Sequence, residues 1–396
     1  MTTLDDSVAG IEHALRSSPP HALLATFRAN LRADFRVTDV DMLFADYQLS
    51  VLQPVTRLPH TAEPLSMRTT TAGRSFTAQH PLVDPLPDGT CVAHLPVTVR
   101  GDRLGVLAVT MSFSPDPPLL AELAGLATAL GHELLVAERD TDLYLQARRR
   151  ERLSLAAEMQ WQLLPGRGCA RPEYSLGGQL EPAYAIKGDN FDWCASADDL
   201  IVTVSNGMGQ GIQAALLTNL AINALRNARR AGLSLVDQAC LADQAIYAQY
   251  GGKQHVSTLL LRFELPTNRV EVVDAGSPRM LRLRNGIVDL VKFDEQLPLG
   301  MFDGTEYTTE SFEAEPGDRL IIVSDGVHAA KSPTGTEYGT TNLDPVIRAS
   351  QHLPAPEAAR AIIAELLDYH EGTQLLDDAV VVCLDWKPGH EPPRGT

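Results

Sequence analysis

Between residues 190 and 323 the chain lays down short apolar strands in pairs, each pair joined by a turn signal, and this succession leaves few architectures open. "NFDWCA" and "LIVTVS" flank "SADD"; "VSTLLLRF" and "RVEVVDA" flank "PTN"; "RMLRLR" and "IVDLVKF" flank Asn285-Gly286; "YTTESFEA" and "RLIIVS" flank Pro316-Gly317-Asp318. Four hairpins in a row predict sheets built mainly of antiparallel pairs, two of them packed face to face. Helical periodicity over 211–231, 235–250 and 355–370 predicts helices covering the outer faces. The fold class expected is α+β.

The preceding half reads differently. "VAGIEHALRS" and "HALLATFRANLRA" have short helical patterns, and "CVAHLPVTVRGDRLGVLAVTMSF" is a hairpin signalled by Gly101-Asp102. Leu119, Leu123, Leu126, Leu130 and Leu134 then recur at helical spacing, and helical composition continues until Pro165 stops it. A helix over 118–165 would link two domains and could pair with its counterpart in a homodimer. With 396 residues the chain has room for more than one domain. The expected division is an N-terminal helix or arm over 1–19, a first domain over 20–140, the linking helix over 118–165, a second domain over 166–388 and a Pro/Gly-rich tail over 389–396.

Charge and cysteine usage exclude several partners. A formal net charge of −17 opposes nucleic-acid binding, which needs clustered Lys and Arg; "QARRRER" is the one basic run and reads as a solvated helix face. No run of eighteen apolar residues suggests a membrane span, and "MTTLDDSVAG" lacks the regions of a signal peptide, so a cytoplasmic location is expected. Five scattered cysteines without a C-x-x-C pair suggest neither zinc nor a disulfide framework.

The stretch "VTVSNGMGQG" carries the chemistry. Alternating glycines between a strand and a helix make room for something that approaches the backbone. A hairpin turn centred between Ala197 and Asp198 places Asp189 opposite Asn206 at the open end of the ladder, where cross-strand side chains can share a ligand. Asp325 ends the strand "RLIIVS" and precedes Gly326, while Asp377 and Asp378 precede the strand "AVVVCL". Gathered at one rim, Asp189, Asp325 and Asp377 would offer the hard oxygens that Mg²⁺ and Mn²⁺ prefer. Two such ions about 3.5–4 Å apart can activate a water and offset charge on a phosphoryl group. Taken singly, each acid is more often structural, and Asp192, Asp198, Asp199, Asp318 and Asp385 read as turn or surface residues.

Other chemistries fit the same residues less well. "GMGQG" resembles a shortened dinucleotide fingerprint, with "RNARR" as a conceivable 2′-phosphate site, but Ile212 stands at the third glycine's place and a parallel βαβ unit is missing. His255 and Ser257 lack an oriented base and an oxyanion hole, and the histidines show no zinc spacing.

In this order the segments resemble the bacterial, SpoIIE-like branch of the PPM family of metal-dependent Ser/Thr protein phosphatases. "AAEMQWQLLP", "KGDNFDW", "NGMGQGIQAALL", "DAGSPRMLRL", "LPLGMF", "IIVSDGVHAA" and "LLDDAVVV" carry the resemblance over about 152–387. It implies two central antiparallel sheets flanked by helices, and a site of two Mn²⁺ or Mg²⁺ ions. Asp189, Asp325 and Asp377 would be ligands, Gly207 would meet a metal through its carbonyl, and Asp378 would neighbour that shell. Activated water would attack phosphoserine or phosphothreonine directly, and the implied substrate is a phosphorylated anti-sigma-factor antagonist. Residues 20–140, through "LPVTVRGDRLGVLAV", resemble a GAF sensor domain with room for a small ligand. The departures are Asn206 where the family has a bridging acid, Gln210 and Ser277 in place of histidines, and Val380 in place of a threonine. Close dications need anionic ligands to offset their repulsion, so Asn206 would weaken metal binding. The resemblance therefore leaves two readings, a phosphatase with weakened catalysis and an inactive pseudophosphatase that regulates by binding.

Overall fold

A computed structural model describes residues 4–150, 152–183, 186–332, 335–370 and 375–387. The chain divides into two compact units, Met1–Arg152 and Leu153–Thr396. The expected tail over 389–396 lies outside the described residues.

The first unit begins with helices α1 (Leu4–Ser17) and α2 (Leu23–Asp34), followed by strands β1 (Val37–Ala45), β2 (Val51–Arg57), β3 (His60–Thr61) and β4 (Leu65–Ser66). After α3 (Thr71–Ala78) come β5 (Leu82–Pro85), β6 (Cys91–Val99) and β7 (Asp102–Met111), then α4 (Pro117–Ala137) and α5 (Leu143–Ala147). The antiparallel sheet runs β3-β2-β1-β7-β6-β5, with β4 against β2. The β6–β7 turn is Arg100-Gly101, one residue before the expected Gly101-Asp102, with φ of 52° and 99°, the positive values at both central positions that a type I′ loop requires.

Ile11 and Leu15 of α1 share a core with Phe27, Leu31, Leu95, Val97 and Val109, so the expected N-terminal arm is a core helix. Phe76 of α3 packs with Leu43, Leu52 and Val106 in a second cluster. Helix α4, capped by the Asp116 carboxylate on Leu119 N–H at 3.0 Å, spans 21 residues and is long and apolar enough to cross a bilayer. Its Leu123, Leu126, Leu130 and Leu134 are instead buried in the core of this unit. The single helix expected over 118–165 is interrupted: α4 stops at Ala137, and a new helix, α6 (Leu155–Leu163), starts in the second unit under a Ser154 cap. A homodimer would therefore have to use a surface other than the α4 leucine stripe.

The second unit continues from α6 through β8 (Gly168–Ala170), β9 (Tyr174–Glu181), β10 (Asn190–Ala195), β11 (Asp199–Asn206), α7 (Gly211–Arg230) and α8 (Leu235–Tyr250). Strands β12 (Ser257–Glu264), β13 (Arg269–Ala275), β14 (Arg279–Arg284), β15 (Ile287–Val291), β16 (Glu310–Glu313) and β17 (Arg319–Val323) follow. The described part ends with α9 (Asp325–His328), α10 (Tyr338–Thr341), α11 (Leu343–Ala349), α12 (Ala355–Tyr369) and β18 (Ala379–Trp386).

One sheet has the order β10-β11-β12-β13-β16 and the other β15-β14-β17-β18-β9-β8, both antiparallel throughout. Phe191 of β10 fills the space left by Gly178 of β9, where a Cβ would stand 2.4 Å from the ring, and Phe263 stacks on Trp386 at 5.8 Å. Burial of each such aromatic stabilises by about 1.5–3 kcal/mol. Leu260 and Val273 face α7 and α8 on the outside of the first sheet, while Ile321, Val381 and Cys383 face α12 on the outside of the second. The layers are thus helix, sheet, sheet, helix. The expected fourth hairpin is not one: β16 pairs with β13, β17 lies between β14 and β18, and Pro316-Gly317-Asp318 carries the chain from one sheet to the other.

Candidate metal centre

The β10–β11 ladder has the register expected from the sequence, with Asn190 opposite Ser205. Asp189 and Asn206 consequently stand at its open end, and both are buried. In the second sheet Val323 pairs with Val381, which brings Asp325, just past β17, to the same end as Asp377 and Asp378, just before β18. The two sheet ends meet there. Asp378 Oδ1 accepts from Ala183 N at 2.7 Å, while Oδ2 accepts from Lys187 N at 2.9 Å, Gly188 N at 2.8 Å, Asp189 N at 3.3 Å and Gln160 Nε2 at 2.7 Å. Asp378 is therefore the clasp that holds the 186–189 loop of one sheet to the strand end of the other, its oxygens occupied by N–H donors rather than turned to an ion.

The glycines explain how the loops fit. A Cβ on Gly207 would lie 2.7 Å from the Gly188 carbonyl oxygen, and one on Gly326 would lie 1.8 Å from that of Asp378, so each marks a place where two backbones touch. Gly209, at φ 101°, turns the chain into α7. The loop is further tied by Thr218 Oγ1, which donates to Gly188 O at 2.5 Å, and by Gly211 N, which donates to Ile186 O at 2.6 Å.

The acids perturb one another. Burial raises Asp189 well above the usual carboxylate range, and Asp378, Asp325 and Asp377 push it further, with Ser324 offering a hydrogen bond in the other direction. Asp377 is pushed up to about 6 by burial and by Asp325, against the pull of Lys187. Burial also raises Asp378, despite the backbone N–H groups that favour its charge. A cation would relieve this repulsion.

The fit of a divalent ion can be tested on the buried oxygens. Asp189 Oδ2 and Asn206 Oδ1 have no hydrogen-bond partner, an arrangement that costs about 1–3 kcal/mol per group unless something binds there. Among the described residues no three His, Cys, Asp or Glu side chains come close enough together to enclose an ion by themselves. The donor chemistry that fits is therefore mixed, a carboxylate and a neutral amide oxygen, with Asp325 and Asp377 near by. A cavity of about 210 Å³ opens beside them, lined by Asp325, Gly326, Lys331, His370, Leu376 and Asp377.

Some side chains read as peripheral from the sequence are part of the support. Asp192 is buried, its Oδ1 2.8 Å from Arg226 Nη2 and its Oδ2 3.0 Å from Arg229 Nη1, which fastens α7 to β10. Asp318 is also buried and pairs with Arg284 at 2.6 Å. Asp199 pairs with Arg262 at 3.1 Å and Asp385 with Arg319 at 2.6 Å, while Asp198 is exposed at its turn. The antiparallel neighbours of β11 remove the dinucleotide reading, and two of the three arginines of "RNARR", Arg226 and Arg229, are engaged by Asp192. Gln160 and Ser324 lie within the segments "AAEMQWQLLP" and "IIVSDGVHAA", but only their contacts single them out.

Comparison with known proteins places this unit. Residues 196–387 match the family model "Stage II sporulation protein E (SpoIIE)", a span that takes in Asn206, Asp325, Asp377 and Asp378 but begins after Asp189. The chain is 21% identical over 241 residues to Protein IcfG of Synechocystis sp., covering 54% of this chain and 38% of that protein. It is 22% identical over 190 residues to the phosphoserine phosphatase RsbP of Bacillus subtilis, covering 47% and 45%. The chain thus spans less than half the length of these two relatives. The solved RsbU and RsbW domains of Rv1364c from Mycobacterium tuberculosis superpose with a TM-score of 0.50 at 21% identity, over 56% of this chain and 62% of that one, a likeness of fold. Over residues 196–387 the second unit of this chain is thus similar to the SpoIIE family, and it shares its fold with the Rv1364c domains.

Proposed function

We propose that the protein is a divalent-metal-dependent phosphoserine or phosphothreonine protein phosphatase of a bacterial partner-switching pathway, with a metal centre weakened by Asn206. The observation that carries this reading is a pair of buried, unpartnered oxygens, on Asp189 and Asn206, at a sheet end where Asp325, Asp377 and Asp378 act electrostatically on Asp189. Asp189, Asn206, Asp325 and Asp377 would hold Mn²⁺ or Mg²⁺, with the Gly207 carbonyl beside them. A divalent ion supplies positive charge to offset a phosphoryl group and acidifies water.

The chain's own residues do the rest. Asp378 fixes the loop that presents Asp189, and Lys331 lines the cavity as a cation able to meet an anionic ester. At about 210 Å³ that cavity suits one phosphorylated side chain and is small for a cofactor-sized ligand. Met208, Ile212 and Leu216 are exposed along the glycine loop and the first turns of α7, a surface that favours a protein substrate. A phosphorylated anti-sigma-factor antagonist, a cytoplasmic setting and control by a GAF-like first unit with a small ligand belong to the same reading.

The neutral Asn206 favours a second reading, an inactive pseudophosphatase that acts by binding. Manganese-dependent release of phosphate from a phosphoserine protein separates them. Turnover by the natural chain, abolished in Asp189→Ala, supports the enzyme; turnover only in Asn206→Asp supports the pseudophosphatase; turnover in neither rejects the metal centre as a catalyst.

A further inference from the structure

Asn206 is held from one side. Its Nδ2 donates to the Ser277 hydroxyl at 2.7 Å, while its Oδ1 is buried without a partner. An amide is planar, with nitrogen and oxygen on opposite arms of one carbon, so anchoring one arm sets the direction of the other. Ser277 is itself fixed in place. It lies in the turn between β13 and β14 at φ 37°, a conformation uncommon without glycine, directly after Gly276 at φ 96°. Gly276 N donates to Asp274 Oδ1 at 3.0 Å, and the Ser277 carbonyl meets His328 Nε2 at 3.3 Å. Because His328 belongs to α9, which starts at Asp325, this turn ties the end of β11 to the helix that carries an acid of the second sheet.

We propose that Ser277 is a positioning residue for a divalent-cation site, holding the Asn206 amide so that its carbonyl oxygen, rather than its NH2, faces the acid rim. The inference rests on the reading of that rim as a cation site. Without the hydroxyl, nothing on this side would retain Nδ2, and the neighbouring carboxylates would attract the amide's N–H groups. A cation would then meet the wrong face of the amide and would have to turn it over, which lowers the apparent affinity by the fraction of molecules in the competent orientation. A carboxylate at position 206 presents oxygen in either orientation and has no such requirement.

Calorimetric titration of the full chain with Mn²⁺ tests this in a double-mutant cycle of Ser277→Ala and Asn206→Asp, with metal-free melting curves as the check on folding. Ser277→Ala is expected to weaken Mn²⁺ binding roughly five- to tenfold, the worth of one hydrogen bond, in the natural background and to change it little beside Asn206→Asp. Ser277→Gly, which also removes the hydroxyl and adopts a positive φ without strain, is expected to lose affinity as the alanine variant does, and it carries the comparison should the alanine variant fail to fold. Equal loss in both backgrounds, or no loss in the natural one, overturns the role of Ser277 while leaving the cation site standing. Absence of Mn²⁺ binding in the natural chain and in Asn206→Asp removes the cation site itself, and this inference with it.

Discussion

At the scale of single residues, charge is concentrated where water is scarce. Asp274, in β13, is pushed up to about 6, first by burial and then by Glu295 and Glu310, against the hydrogen bond from Gly276 N. The folded chain therefore keeps this proton to a higher pH than the unfolded chain, whose carboxyl titrates near 3.8. Between those values the folded state binds more protons, so the contribution of Asp274 to stability is greatest below about pH 4, falls as pH climbs towards 6 and levels off above. Asp274→Asn keeps an acceptor for Gly276 N and is expected to melt higher than the natural chain at pH 7.5 while losing that advantage near pH 4. Melting temperatures across that range decide it. The sequence made Asp189, Asn206, Asp325 and Asp377 visible because strand ends and glycines mark them. It gave no sign of the Asp378 clasp's five N–H donors or of the Asn206–Ser277 bond, since hydrogen bonds between residues far apart in the chain have no local signature.

At the scale of elements, the expected helices over 211–231, 235–250 and 355–370 correspond to α7, α8 and α12, and the β10–β11 register follows from its turn. Strong periodicity and short turns are local information. Partner choice is not. The segments around Pro316-Gly317-Asp318 have every mark of a hairpin, yet β16 forms the edge of one sheet against β13 while β17 lies inside the other between β14 and β18. The leucine stripe of α4 likewise specifies a buried face without saying what buries it. Among the glycines of the described residues the closest approach is where α9 passes the start of β18, with Gly326 against the Asp378 carbonyl. Gly326→Ala should force these backbones apart, lowering stability by roughly 3 kcal/mol in denaturant unfolding and weakening Mn²⁺ binding along with it. An unchanged midpoint would mean that the junction relaxes freely.

At the scale of the whole molecule, each unit has its own sheets and its own core, which is the condition for independent melting. Scanning calorimetry of the full chain is expected to resolve two transitions, with saturating Mn²⁺ raising only the one that belongs to Leu153–Thr396. A single transition moved as a whole by the metal would show that the units melt together. Within the second unit, β18 occupies an interior place between β17 and β9, although it is the last of the described strands in chain order. During synthesis, then, β9 waits with an open edge while nearly all of the domain emerges, and the acids that precede β18 arrive last. Until that closing strand is in place, a growing chain has neither a finished second sheet nor the carboxylates of Asp377 and Asp378 at its rim.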